Sequence, residues 1–226
     1  MSLFLAFCFL FFIGSLVGWV LELLYAKLTM KKLINPGFFV GPWVPIYGFG
    51  LCVVTFIYIV VTKYDINPFL SIVIMGICLT LIELIAGLIF KKMDVRLWDY
   101  SDRWGNYKGI ICPFFSTIWL IGSFIYYYLF APHVINLLLW FSKHLSFSLY
   151  IGMFLGLFIV DVFYSFNILT IIRKYAKENN IEVKYEDFKR HIKERQEKRR
   201  EKYSFIFPFK QTKSVEEYLK SYKKKK

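Results

Sequence analysis

Five stretches of this chain are apolar for longer than a globular core requires. Residues 3–26, 44–61, 69–90, 109–130 and 149–171 contain only three charged side chains between them, Glu22, Glu83 and Asp161. A helix rises about 1.5 Å per residue, so ~20 such residues cross a hydrocarbon core of ~30 Å. In lipid the backbone must satisfy its own hydrogen bonds, and an uninterrupted apolar run does so as a helix. The expected fold class is therefore all-α: a polytopic membrane protein with about five transmembrane helices and a basic helical C-terminal tail. Short re-entrant or interfacial segments are expected between the helices. The first run has no basic segment before it and no small-x-small cleavage site, so it reads as a retained helix rather than a signal peptide.

Charge divides the chain in two. The net charge is +13, and residues 173–226 hold nineteen Lys/Arg against nine Asp/Glu, which is +10 of it. The expected organisation is a transmembrane domain over 1–172 and a basic cytoplasmic tail over 173–226. The short connections carry three basic residues after the first run (Lys27, Lys31, Lys32) and one after the second (Lys63). Five follow the third (Lys91, Lys92, Arg96, Arg103, Lys108) and one follows the fourth (Lys143). Lys/Arg-rich loops stay inside. With five spans all the richer segments share one side, which places the N-terminus outside, the C-terminus in the cytoplasm and the chain in the cell membrane. The tail is expected to be helical over about 186–203, with mixed charge and little apolar stripe. Its basic residues, including Lys223 to Lys226, suit anionic inner-leaflet lipids at ~1 kcal/mol each. It carries no nucleic-acid-binding motif, so no nucleic acid is expected.

Two segments are less regular. Ala131-Pro132-His133 is expected to break the fourth helix, leaving 134–148 as an interfacial segment. Residues 35–50 are apolar but rich in Gly and Pro. Pro42 and Pro45 favour a first helical turn or a kink, and Gly37, Gly41, Gly48 and Gly50 allow unusual dihedrals or close helix approach. With Asn35 and Tyr47, this is either a helix start or a short re-entrant element lining a cavity.

A carboxylate at a helix centre in a membrane costs roughly 2.5–3.5 kcal/mol on insertion scales. Glu22, Glu83 and Asp161 are therefore the first functional candidates, set against an ordinary role as paired or protonated packing groups. Counting from the inner helix ends, Glu22 is ~7 Å deep and Glu83 roughly 12 Å deep, while Asp161 is nearer the midplane. The loop 94–107 adds Arg96, Trp98, Asp99, Tyr100 and Asn106. Asp94, Asp99 and Asp102 could offer oxygen ligands, but their spacing matches no calcium loop and arginines stand beside them, so no metal is expected. Cys8, Cys52, Cys78 and Cys112 have neither zinc nor disulfide-frame spacing and read as buried hydrophobes. There is no nucleotide-binding P-loop, no H-E-x-x-H and no G-x-S-x-G. His133, His144 and His191 suggest no catalytic set. No cofactor is expected.

At these residues the sequence resembles the bacterial membrane family described as putative ABC-transporter type IV permeases. The resemblance rests on Gly18-Trp19 with Glu22, then Asn35, Gly37-Phe38, Gly41-Pro42 and Pro45-Ile46-Tyr47-Gly48-Phe49-Gly50. It continues with Glu83, Gly87, Arg96-Leu97-Trp98-Asp99-Tyr100-Ser101, Asn106, Gly109, Cys112 and Trp119, and covers roughly residues 14–170. Pro36 stands where the family often has Arg, Trp104 and Gly105 lengthen a polar stretch, and the basic tail lies outside it. The resemblance implies transport without naming a substrate. The E-A-A…G pattern by which importer permeases dock an ATPase is not found.

Three functions are carried forward. The first is a transport protein or permease subunit, with Glu22, Glu83 and the Gly/Pro element at a cytoplasmic-facing polar site and Arg96 and Asp99 gating or orienting it. Five spans are few for a complete transporter, so a separate ATPase subunit or a homo-oligomer is expected with it. The second is a membrane-embedded enzyme on a lipid-linked substrate. The third is a scaffold or regulatory protein whose basic tail recruits a partner.

Overall fold

The computed structural model describes residues 3–30, 35–179 and 181–198. The chain forms α1 (Leu3–Met30), α2 (Pro45–Lys63), α3 (Pro68–Lys91), β1 (Val95–Arg96), α4 (Pro113–Ile125), α5 (Ala131–Lys143), α6 (Ser148–Glu178), β2 (Val183–Lys184) and α7 (Tyr185–Lys198). Among the described residues five helical runs are long and apolar enough to cross a membrane: Leu3–Leu28, Pro45–Lys63, Pro68–Lys91, Pro113–Lys143 and Leu145–Glu178. The protein is an all-α, multi-pass membrane protein. The shortest run, 19 residues, is about 28 Å long. Large apolar side chains such as Phe4, Phe69, Leu157, Val160 and Phe163 point outward, as expected of helices whose solvent is lipid.

Proline sets several helix starts. Pro45, Pro68 and Pro113 are the first residues of their helices, where a missing N–H costs nothing and φ is already helical. Asn67 caps α3, its Oδ1 accepting the Phe69 N–H at 2.8 Å.

The fourth run corrects one expectation. Ala131-Pro132-His133 does not break the helix. A five-residue π turn, Tyr126–Phe130, joins α4 to α5 without interruption. Pro132 lies in the first turn of α5, and the wider turn absorbs its missing donor, with the Ala131 N–H reaching back to the Tyr126 carbonyl. Residues 134–143 are therefore the end of a span rather than an interfacial segment. His144 and the short 3₁₀ turn Leu145–Phe147 separate this run from α6.

The contacts divide the chain into two compact units. The first comprises Met1–Leu16, Pro45–Ala86 and Tyr100–Leu155. One of its cores joins Val54, Met75, Tyr126 and Ala131, where the Thr55 and Tyr126 hydroxyls share a hydrogen bond of 2.8 Å. A second joins Cys8, Phe9, Phe141 and Ile151, with the Phe9 and Phe141 rings stacked at 4.4 Å. Gly14 on α1 and Gly48 on α2 meet backbone to backbone. The cysteines are free thiols, three of them buried.

The second unit comprises Val17–Val44, Gly87–Asp99 and Gly156–Lys226. Its core contains Phe38, Val40, Val95, Ile168, Leu169, Ile172, Val183, Tyr185, Phe188 and Ile192. β1 and β2 pair in parallel, Val95 opposite Val183 and Arg96 opposite Lys184. The start of the tail thus has more of an apolar stripe than was expected of it. Tyr185, Phe188 and Ile192 are fully buried and Lys189 nearly so. Their spacing of three and four residues puts all four on one helix face, an apolar stripe short enough to be lost among the surrounding charges. The rest of the expected tail helix, from 199, and Lys223 to Lys226 lie outside the described residues.

Candidate functional site

Within the second unit the polar groups converge on residues 35–44, which adopt no regular secondary structure. Backbone of this kind survives at membrane depth only where protein satisfies it, and Asp161 on α6 does much of that. Its Oδ1 accepts the Val40 N–H at 3.1 Å and the Ser165 hydroxyl at 2.8 Å. Its Oδ2 accepts the Gly41 N–H at 2.8 Å and the Trp43 indole N–H at 2.6 Å. A carboxylate offers about four acceptor positions, so the chain's own donors fill them. Gly41 makes this reach feasible, because a Cβ there would collide with the Trp43 ring.

Asn35 holds the other end of the segment. Its Oδ1 accepts the Trp19 indole N–H at 2.6 Å, and its Nδ2 donates to the Val40 carbonyl at 2.8 Å and the Phe39 carbonyl at 3.3 Å. Gly37 takes a left-handed φ of 74°, which only glycine adopts freely. Lys189 from α7 donates its Nζ to the carbonyls of Asn35 at 2.6 Å and Gly37 at 2.8 Å. The Tyr185 hydroxyl donates to the Phe38 carbonyl at 3.2 Å, and burial pushes that phenol's pKa up.

An ion cluster in the same unit ties the β1 loop to the segment after α6. Arg96 meets Asp99 at 2.7 Å and Glu182 at 3.0 Å, and Lys184 meets the other Asp99 oxygen at 2.6 Å. Burial works against the Arg96 charge, but hydrogen bonds and charge from Glu182 and Asp99 outweigh it and raise its pKa. The hydrogen bond and charge of Asp99 likewise raise that of Lys184. Through these pairs Arg96 and Asp99 hold the β1 loop to Glu182 and Lys184. Trp98 and Glu22 are both half-buried.

The first unit holds a different group around Glu83 of α3, a carboxylate only 4% exposed. The Tyr100 hydroxyl donates to its Oε1 at 3.0 Å and the Trp119 indole to its Oε2 at 2.8 Å. Tyr47 lies against the Trp119 ring at 5.7 Å, and Phe115 stacks on Tyr100 at 4.2 Å. Two neutral donors in an aromatic setting thus orient a carboxylate inside a span. Asn106 organises the loop that delivers Tyr100. Its Nδ2 donates to the carbonyls of Ser101 and Arg103, and its Oδ1 accepts the Gly109 N–H. Pro42 and Pro45 are half-buried, and Pro45 simply starts α2.

The model of the putative ABC-transporter type IV family matches residues 9–166. The chain belongs to this family. No curated protein and no solved structure matches it. The type IV match takes in the Gly/Pro segment, Glu83 with its donors, Arg96, Asp99 and Asp161, and ends before Glu182, Lys184 and Lys189. Sequence reasoning did not single out those three residues as site groups. Nor did it single out Trp43 and Ser165. A signal existed for Ser165, one helical turn from Asp161, and for Lys189 in the 185/188/192 stripe.

Proposed function

We infer that the chain is a membrane subunit of an ABC-type transport system and that Glu83 is the centre of its polar site. The observation that carries this reading is a buried span carboxylate held by two neutral donors, Tyr100 and Trp119. A carboxylate is too costly in a span to persist there as filler, and here the Tyr100 hydroxyl and the Trp119 indole orient it. Family membership supports the transport class, and a separate ATPase is the partner this reading calls for. In this reading the Lys/Arg-rich segments face the cytoplasm, the N-terminus is outside, and 173–226 is a cytoplasmic portion beside anionic inner-leaflet lipids. Glu83 then sits in the inner half of the bilayer.

Two measurements test it. Native complexes purified through this chain are expected to hydrolyse ATP, and inverted vesicles carrying them to accumulate solute from a mixed panel when ATP is supplied. Glu83→Gln keeps size and loses charge, and is expected to cut that accumulation at least tenfold with the folded yield unchanged. The same change at Glu22 tests the other glutamate. Flux equal to wild type in both variants sinks the assignment. For orientation, a reporter that fluoresces only in the cytoplasm, fused after Lys226, is expected to be bright, and an N-terminal fusion dark. The reverse pattern refutes the topology.

A further inference from the structure

We propose that α7 is an intramolecular latch on the Gly/Pro segment, closed by Lys189. Three sets of contacts within one unit carry this. Lys189 is 3% exposed, and its Nζ holds the Asn35 and Gly37 carbonyls. Tyr185 adds its hydroxyl to the carbonyl of Phe38 and its ring beneath the Lys189 ammonium at 5.1 Å. Upstream, β2 fastens the start of the tail, just before α7, to the loop after α3, through Val183 N–H to the Asp94 carbonyl and through Lys184 to Asp99.

These contacts are of a kind that opens as a unit. A buried ammonium is tolerable only while its hydrogen bonds are made. Lys189 therefore stays on the carbonyls or leaves with its helix for water, and intermediate positions are disfavoured. The carbonyls it holds belong to residues 35 and 37, next to Val40 and Gly41, whose N–H groups are fixed by Asp161. A force drawing the basic tail away would act on the Gly/Pro segment first. This makes 35–44 the regulated element and the tail its handle, whatever the chain transports.

Hydrogen exchange on the full chain in lipid nanodiscs tests the latch. Lys189→Met keeps the stem and removes the donor. It is expected to speed exchange at least tenfold in a peptide covering 37–41, with α2 and α3 peptides unchanged. Deleting 199–226 is expected to leave the 37–41 peptide as in wild type, and deleting 182–226 to reproduce the effect of Lys189→Met. Tyr185→Phe, which removes only a hydroxyl, covers the case in which Lys189→Met does not accumulate, and is expected to speed the same peptide several-fold. A 37–41 peptide within twofold of wild type in both point variants overturns the latch. So does acceleration spread equally over α2 and α3, because Lys189 would then be an ordinary core contact.

Discussion

Asp161→Ala is expected to cost the protein most of its folded yield. The substitution strips the acceptor from the N–H groups of Val40 and Gly41 and from the Trp43 indole, all in buried hydrogen bonds. A buried donor left unsatisfied costs about 1–3 kcal/mol. Three of them sum to roughly 3–9 kcal/mol, against a total stability for most domains of about 5–15 kcal/mol. Water cannot easily repair the loss, because all three hydrogen bonds are buried. Asp161→Asn retains one oxygen and turns an amide N–H₂ toward donors, so it should fall between alanine and wild type. Ser165→Ala removes only one of the four donors, and the carboxylate keeps the rest, so it should be mild. The measurement is monodisperse yield in detergent together with thermal melting. An alanine variant that melts within a degree or so of wild type would show that Asp161 is not what holds residues 35–44 in place.

The same contacts explain what could be read from the sequence. The spans were legible because lipid imposes a length and a hydropathy that no internal detail can override, but their starts were not fixed by it: the fourth, expected from 109, begins at Pro113. That Glu83 and Asp161 would stand out was legible too, because a charge in an apolar run is conspicuous wherever it points. Their partners were not. Trp43 donates to Asp161 across 118 positions, and Trp119 to Glu83 across 36. In an apolar sequence a tryptophan looks the same whether it lies at an interface or caps a carboxylate. The fourth span was misread at Pro132 because proline is a reliable helix breaker only when the helix cannot change pitch, and the π turn at Tyr126–Phe130 lets it. The start of the tail was misread because its apolar stripe is three residues among many charges, and composition outweighs periodicity in such a window.

Gly48→Leu is expected to be the most damaging substitution in the first unit, and its cause is steric. A Cβ at Gly48 would collide with Ser15 Oγ and lie 2.6 Å from the Phe11 carbonyl oxygen. One at Gly14 would lie 2.8 Å from the Tyr47 carbonyl and 2.9 Å from the Gly48 Cα. Side chains can rotate away, but these partners are mostly backbone, so α1 and α2 must separate. Such close approach through small residues is how helices associate in lipid, where no hydrophobic force drives them together. Overpacking of this kind costs about 1–3 kcal/mol. Gly48→Ala should therefore lower the melting temperature by several degrees, given roughly 2–4 °C per kcal/mol at this chain length. Gly48→Leu adds three more carbons at the same point and should fail to fold. Gly152→Ala is the control, because a Cβ at Gly152 meets nothing within 4 Å, and an exposed helix glycine gains ~0.5–1 kcal/mol as alanine. Ser15 separates the two parts of the clash. Its buried hydroxyl finds no hydrogen-bond partner among the described residues, so Ser15→Ala alone should be neutral or slightly stabilising. Adding it to Gly48→Ala should recover only part of the loss, because the Phe11 carbonyl remains. Full recovery in the double variant would place the constraint in the serine side chain and not in the crossing of the two backbones.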